Sequence, residues 1–338
     1  MSKRITRRKF LQESISYGAL LLLPRFIFAQ TPNPPLSKFN ADSTAKEVIR
    51  GLDLTGKTIM ITGTNSGLGH ETMRVLAKHG AHVIATARTA EKAEKAVNSI
   101  KGKVTPLVCE LTDFSSVIGC AKKVEELNIP LDALICNAGV MQLQELDIVH
   151  GLEHQFAVNY LGHFLLSQRL LPLLQRAQQG RLVMISSGLI RKAPEVGIEF
   201  DNLDGSKSYN PEVAYGHSKL AMALYATEFE RRFANSTVTA NALHPGIIHT
   251  NLLRHLPWYK STAASLFDFL IFDKTIEEGT ATHCYVATHP SLKKVSGHFF
   301  VDCNPATSES PYFSNHLSNE KMAAKLWETS MQLVKKYL

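Results

Sequence analysis

From Lys57 onward, short runs of consecutive apolar residues alternate with longer stretches in which apolar positions recur at helical spacing. The short runs are KTIMIT (57–62), AHVIATA (81–87), KVTPLVCE (103–110), LDALICNAG (131–139), GRLVMISS (180–187), VTANALHPG (238–246) and GHFFVD (297–302). Between them lie stretches such as LGHETMRVLAKHG, which Gly80 stops, and TAEKAEKAVNSI. Apolar runs without polar alternation are strands buried on both faces. Separated by helices, they predict an α/β fold: a doubly wound parallel sheet with helices on both faces. No internal repeat and no second composition regime interrupts the pattern, so a single domain over residues 54–338 is expected.

The first 53 residues follow another pattern. Residues 1–30 begin with Lys3, Arg4, Arg7, Arg8 and Lys9, continue with an apolar stretch from Ile15 to Leu23, and close on Pro24, Arg25 and Ala29. TRRKFLQ resembles the twin-arginine export motif of bacteria, whose receptor reads the paired arginines. The apolar stretch is short for a membrane span, and Pro24 and Arg25 interrupt it. Residues 1–30 are therefore read as a twin-arginine-type signal, which predicts a periplasmic or exported protein. The alternative is an uncleaved segment that holds the protein at a membrane, because Ile27 stands where a small residue is expected before a cut after Ala29. TPNPPLSKFN has the composition of a linker. Thr44 and Glu47 form a capping-box pattern for a short helix from about Ala45 to Arg50, so residues 31–53 are linker and short helix.

Charge matters here by its location. Residues 1–30 carry six Lys and Arg against Glu13, hence +5 of the net +7, and the other 308 residues carry +2. Basicity is therefore no argument for a nucleic-acid partner. Cys109, Cys120, Cys136, Cys284 and Cys303 are widely scattered with no CxxC, which predicts reduced, partly buried thiols. His150, Glu153 and His154 spell HxxEH, a pattern of one class of zinc proteases. With no identifiable third ligand, they read as polar residues on a solvated helix start, and no metal is expected.

Candidate chemistry begins where the first strand meets the first helix. Gly63, Asn65, Ser66, Gly67, Leu68 and Gly69 form a glycine-rich turn at that point. Residues without Cβ let the backbone approach a pyrophosphate, and a helix N-terminus offers N–H groups and partial positive charge to hold it. The spacing is GxxxGxG rather than the commoner GxGxxG. The second strand ends in Ala87 and Arg88, where an NAD-binding fold usually has an acid for the ribose 2′-hydroxyl. A guanidinium instead suits a 2′-phosphate, so NADP(H) is favoured over NAD(H).

Tyr215 and Lys219 in AYGHSKLAMALY stand four apart and share one helix face. Ser186 and Ser187 end an apolar strand, Asn159 lies in the helical stretch FAVNYLGHFLL, and HPGIIHT follows the next strand. All of these belong at the sheet's carboxyl edge, where ligands bind in open α/β sheets. The set TGTNSGLG, NAG (137–139), Asn159, the serine pair, YGHSK and HPGIIHT resembles the short-chain dehydrogenase/reductase family, in the family's order and over nearly all of residues 54–301. GLDLTGKTIMITG, EEGTATHCYVATHP and GHFFVDCNPATSES are similar to its retinol-dehydrogenase-like branch.

The resemblance implies a Rossmann-type fold and a division of roles. Ser187 would hold the substrate carbonyl oxygen, with Ser186 its competitor for that place. Tyr215 would exchange the proton. Lys219 would bind the ribose and favour the tyrosinate. Asn159 would hold a water linking Lys219 to solvent. Asn137, Ala138 and Gly139 would line the adenine ribose, and Glu110 with Leu111 would lie beside the adenine, Glu110 standing where the family more often has Asp. Pro245, Gly246, Ile248 and Thr250 would meet the nicotinamide.

The segment 256–273, LPWYKSTAASLFDFLIFD, is rich in aromatic and large aliphatic residues. It reads equally as a lid over a lipophilic substrate or as core and neighbour packing, and a homo-oligomer is compatible with the latter. The expected activity is interconversion of a small lipophilic alcohol and its carbonyl compound. A C=C reductase of the protochlorophyllide-reductase type and a non-catalytic NADP(H)-binding sensor are the alternatives.

Overall fold

The computed structural model describes residues 33–248 and 274–338. The signal segment, Thr250 and the aromatic stretch 256–273 lie outside the described residues. In chain order the strands are β1 (Thr58–Ile61), β2 (His82–Ala87), β3 (Val104–Val108), β4 (Ala133–Cys136), a hairpin of β5 (Ile148–Val149) and β6 (Leu152–Glu153), then β7 (Gly180–Ile185), β8 (Val238–His244), β9 (Phe299–Val301) and β10 (Asn304–Pro305). Apart from the hairpin and β10, each falls on one of the apolar runs.

The main sheet has the order β10-β9-β8-β7-β4-β1-β2-β3. Its neighbours are parallel except for antiparallel β10. The order reverses at β1, which lies between β2 and β4, so a crevice opens at the carboxyl ends of these strands. At the outer end, β3 tolerates Pro106, because an edge strand need not use every backbone N–H.

The helices are α1 (Ala45–Val48), α2 (Gly67–Lys78), α3 (Ala90–Val97), α4 (Phe114–Glu126), α5 (Gly162–Arg176), α6 (Pro211–Phe233), α7 (Ile276–Gly279), α8 (Ala281–Thr288) and α9 (Glu320–Val334). Alternate strand residues feed two cores. Met60, Ile84, Leu134, Leu182 and Ala242 face α4, α5, α6 and α9. Ile59, Ile61, Val83, Ile135, Val183 and Leu243 face α1, α2 and α8. This two-sided burial is why the strands read as continuous apolar runs; each fully buried large aliphatic side chain contributes about 1.5–3 kcal/mol. The five cysteines are all free and buried, as expected from their scatter.

Two expectations are corrected by packing. The capping box of Thr44 and Glu47 forms, but the helix is only Ala45–Val48, and Ala45, Val48 and Ile49 are buried in the core. Ahead of it the Ser37 N–H donates to Asn304 Oδ1 (2.8 Å), and Asn304 Nδ2 donates to the Phe39 carbonyl (2.8 Å). The Phe39 ring meets Tyr285 edge-on at 6.0 Å. The segment with linker composition is thus a strap that belongs to the folded body, which begins before residue 54.

Of the HxxEH residues only His154 opens the helical stretch that leads to Asn159, and the motif is not the solvated helix start expected from the sequence. His150 and Gly151 are the turn of the β5–β6 hairpin, both at positive φ. Glu153 is buried and accepts the Phe156 N–H (2.8 Å) and Gln155 Nε2–H (3.2 Å). His154 pairs with Asp147 at 2.6 Å, and the His150 ring reaches the Thr112 carbonyl. The three side chains have separate partners, and among the described residues no cluster could hold a metal ion.

Candidate active site

The glycine turn is shaped by close approach of two strand ends. Gly63 and Gly67 have φ of +71° and +58°, values that favour glycine. A Cβ at Gly63 would stand 2.9 Å from the Ala138 Cα, and one at Gly69 would overlap the Gly63 carbonyl and the Asn137 amide. Thr62, just before the turn, accepts the N–H groups of Asn137 (2.9 Å) and Ala138 (3.0 Å) on its hydroxyl. Asn137 Nδ2 donates back to the Thr62 carbonyl (2.8 Å). The β1 and β4 ends are therefore laced together beneath the turn. Ser66 stands at the N-cap of α2 without a side-chain cap bond, and no acid lies in the first turn. The helix start keeps its donors and its positive end for an anion.

Above this lacing is a cleft of about 370 Å³. Gly63, Asn65, Ser66, Gly67, Leu68 and Gly69 line one side. Arg88 stands at the end of β2, Glu110 and Leu111 follow β3, Asn137, Ala138 and Gly139 follow β4, and Ser186, Tyr215, Lys219 and Pro245 complete the lining. A dinucleotide fits this donor set: uncapped helix N–H groups, small residues beneath, and polar groups at both ends. Cys109, Thr112, Val140, His154, Val158 and Ile185 also line the cleft. The sequence reading missed them because they carry no motif; only Cys109, one residue past β3, and Ile185, the last residue of β7, had a strand end to signal them. The Glu110 carboxylate accepts the Thr112 N–H (3.1 Å) and is engaged by its own loop.

Not every expected residue faces the cleft. Asn159 is fully buried behind it. Gly246 has φ of +103° and lies under the Lys274 side chain. Ile248 pairs with Lys274 through an isolated parallel bridge, and a Cβ on Gly279 would meet both Ile248 and Leu68. The two serines are separated by their contacts. Ser186 is buried and donates to the Lys219 carbonyl (2.7 Å), tying β7 to α6. Ser187 is half-buried, accepts the Leu189 N–H (3.1 Å) at the start of a 3-10 turn, and stands close enough to the Tyr215 phenol to oppose the rise in its pKa.

Tyr215 and Lys219 project from the first half of α6, which Asn210 caps by accepting the N–H groups of Glu212 and Val213. Lys219 Nζ donates to the Ile185 carbonyl (2.7 Å) and lies 5.6 Å from the Tyr215 ring centroid. Burial pushes the ammonium down to about 7. Burial also pushes the Tyr215 phenol well above its usual range, with Ser187 opposing. Both groups are thus driven toward their neutral forms, and for Lys219 the displacement from 10.5 corresponds to about 5 kcal/mol. An ammonium held at that cost favours any anion or hydroxyl oxygen that enters beside it.

Asn159 sits in a π-helical turn, Phe156–Leu161, that runs into α5. Its side chain accepts the Val140 N–H (2.9 Å) and donates to the Val140 carbonyl and to Ser218 Oγ (both 2.9 Å). Ser218 Oγ in turn donates to the Tyr215 carbonyl (2.8 Å). The wall beside Gly139 is therefore braced to the backbone of the helix that carries Tyr215.

A family model described as short chain dehydrogenase matches residues 57–257. Short-chain dehydrogenase TIC 32 B, chloroplastic, of Brassica napus is 38% identical over 314 residues, covering 88% of this chain and 95% of that one. Retinol dehydrogenase 14 of Homo sapiens is 36% identical over 299 residues, covering 82% and 86%. Among solved structures, an uncharacterized protein from Mycobacterium Paratuberculosis superposes with a TM-score of 0.66 at 31% identity, covering 84% of this chain and 95% of that one.

Proposed function

The chain belongs to the short-chain dehydrogenase/reductase family, and we propose that it interconverts a lipophilic alcohol and its aldehyde or ketone with NADP(H). The observation that carries this reading is the placement of the Tyr215 phenol. It lines the same cleft as the glycine turn, with Lys219 one helical turn on and Ser187 close enough to oppose the rise in its pKa. A nicotinamide bound there supplies or takes the hydride.

The chain's own part is the proton. The Ser187 hydroxyl and the Tyr215 phenol donate hydrogen bonds to the substrate carbonyl oxygen. As negative charge grows on that oxygen, Tyr215 hands over its proton and becomes a tyrosinate, which the Lys219 ammonium stabilises. The burial that holds the phenol neutral keeps the proton in place until the oxygen can accept it. Oxidation of an alcohol runs the same transfer backwards.

Arg88 at the end of β2, with Ala87 where an acid would repel a phosphate, supports NADP(H) over NAD(H). The apolar composition of residues 256–273 supports a lipophilic substrate, as does the name of retinol dehydrogenase 14 among the relatives. Arg7 and Arg8 ahead of the apolar stretch support export through the twin-arginine route; recovery of the whole chain from the cytoplasmic fraction would refute that part. The decisive assay offers a panel of lipophilic aldehydes, ketones and enones with NADPH and identifies the products. Alcohols are expected, and saturation of the C=C bond with the carbonyl intact would overturn the reading.

A further inference from the structure

His163 belongs to no motif described above, yet it joins two parts of the site. It lies in α5, is 1% exposed, and sits four residues past Asn159. Its Nδ1 is 2.8 Å from the Asn159 carbonyl oxygen. A carbonyl can only accept, so Nδ1 carries the proton. Burial, helped by the Lys219 charge, holds the ring pKa down at about 4, so near neutral pH the ring is uncharged and Nε2 offers a lone pair. That lone pair is 2.8 Å from the Thr62 hydroxyl, which donates to it. The same hydroxyl accepts the Asn137 and Ala138 N–H groups. The Thr62 hydroxyl also has the Ile135 carbonyl at 3.5 Å, but the ring nitrogen is much nearer, and the Asn159 carbonyl leaves the ring one tautomer.

The path connects at both ends to the chemistry. At Thr62 it joins the lacing beneath the glycine turn. At Asn159 it fixes the peptide whose side chain braces Val140 and, through Ser218, the Tyr215 carbonyl. Gly139 shows how little slack exists. A Cβ there would stand 3.0 Å from Asn159 Oδ1 and 3.7 Å from Lys219 Nζ, so both groups form the wall against which a cofactor ribose would lie.

We propose that His163 is a positioning residue: through a single fixed tautomer it holds the Asn159 main-chain carbonyl against Thr62, and so sets the geometry of the Tyr215–Lys219 pair relative to the cofactor cradle. A fully satisfied buried network of this kind specifies one arrangement, whereas an apolar side chain of equal volume would fill the space without aiming Asn159. The proposal rests on the oxidoreductase reading for its effect on rate, but its first test does not.

Nitrogen-15 NMR of the histidine rings, without substrate or cofactor, should show His163 protonated at Nδ1 and unchanged between about pH 5 and pH 8. An Nε2-protonated ring would overturn the proposal. The second test compares two amides by steady-state kinetics. His163→Asn places an N–H where Nδ1 lies, and His163→Gln places its amide where Nε2 lies. His163→Asn should keep kcat within about threefold, while His163→Gln should lose about 10- to 100-fold in kcat, with KM for the cofactor changed far less and the alkaline limb of the pH profile displaced. If both variants lower Tm equally and keep wild-type kcat and pH profile, His163 is merely structural and the proposal falls. A wild-type protein that turns over no carbonyl substrate while showing the Nδ1 tautomer would refute the proposed function and leave the His163 geometry standing.

Discussion

Acid should destabilise this fold steeply, and the reason lies in four buried histidines. Burial holds His163, His217 and His283 down at about 4 and His244 at about 3, against 6.5 for an exposed ring. The folded-state values are depressed, so the unfolded chain binds more protons between about pH 6.5 and pH 4, and stability falls as the pH falls through that window. At about pH 5, each ring in the unfolded chain is almost fully protonated and each folded ring almost fully neutral, a difference worth about 2 kcal/mol per ring. Four independent rings give about 8 kcal/mol, comparable to the whole stability of a typical domain, about 5–15 kcal/mol.

Glu153 acts in the opposite sense, because burial raises its pKa and it takes up a proton in the folded state as the pH falls. The exposed carboxylates of Glu47, Asp53, Asp201 and Asp204 are held below their usual range and lose stabilisation only at still lower pH. Urea unfolding followed by circular dichroism across about pH 8 to pH 5 should give a stability slope near pH 5 of three to four protons, about 5 kcal/mol per pH unit. His217→Gln removes one titrating ring and should lower that count by about one. A midpoint that stays constant down to about pH 5, or an uptake of less than one proton, would show that these rings are hydrated in the folded protein and would refute the reasoning.

The site yields three further expectations. Tyr215→Phe should lower kcat by at least about 10²-fold while NADPH binding, followed by its fluorescence, changes little; equal activity would remove the proton-transfer role. Arg88→Ala should raise KM for NADPH by about tenfold and leave that for NADH nearly unchanged, since the loss is that of a charge-assisted contact to the 2′-phosphate; equal effects on both cofactors would contradict the preference. Ser187→Ala should reduce kcat with modest change in Tm, whereas Ser186→Ala should lose about 1–2 kcal/mol of stability with kcat retained, because its hydroxyl joins β7 to α6; the reverse pattern would exchange their roles.

What could be read in the sequence was what local pattern controls. KTIMIT, AHVIATA and GRLVMISS announce two-sided burial because both alternating faces are apolar. Gly63, Gly67 and Gly69 announce a turn because their spacing survives any tertiary context. Features set by distant partners were illegible. The β5–β6 hairpin has two residues per strand, too few for a period to show. Glu153 looked solvated because the loop that covers it lies fifty residues on: its N–H donates to the Leu203 carbonyl, and a Cβ on Gly205 would stand 3.6 Å from its side chain. His163 is hidden in an apolar helix pattern, and its meaning depends on Thr62, 101 residues earlier. The segment 33–44 looked like a linker because Pro and polar residues dominate it, while Asn304 and Tyr285, which receive it, come near the other end of the chain.

That strap sets an order of events during synthesis. Ser37 meets Asn304 across 267 residues, and closing such a span costs roughly 5 kcal/mol in chain entropy. Two hydrogen bonds at about 1 kcal/mol each do not offset this, so the strap seats only after the turn between β9 and β10 has been built. Until the ribosome has added Asn304, Ser37 and Phe39 therefore lack that partner. Any truncation before Asn304 leaves the strap unclasped, so its seating reports that synthesis has passed the turn between β9 and β10.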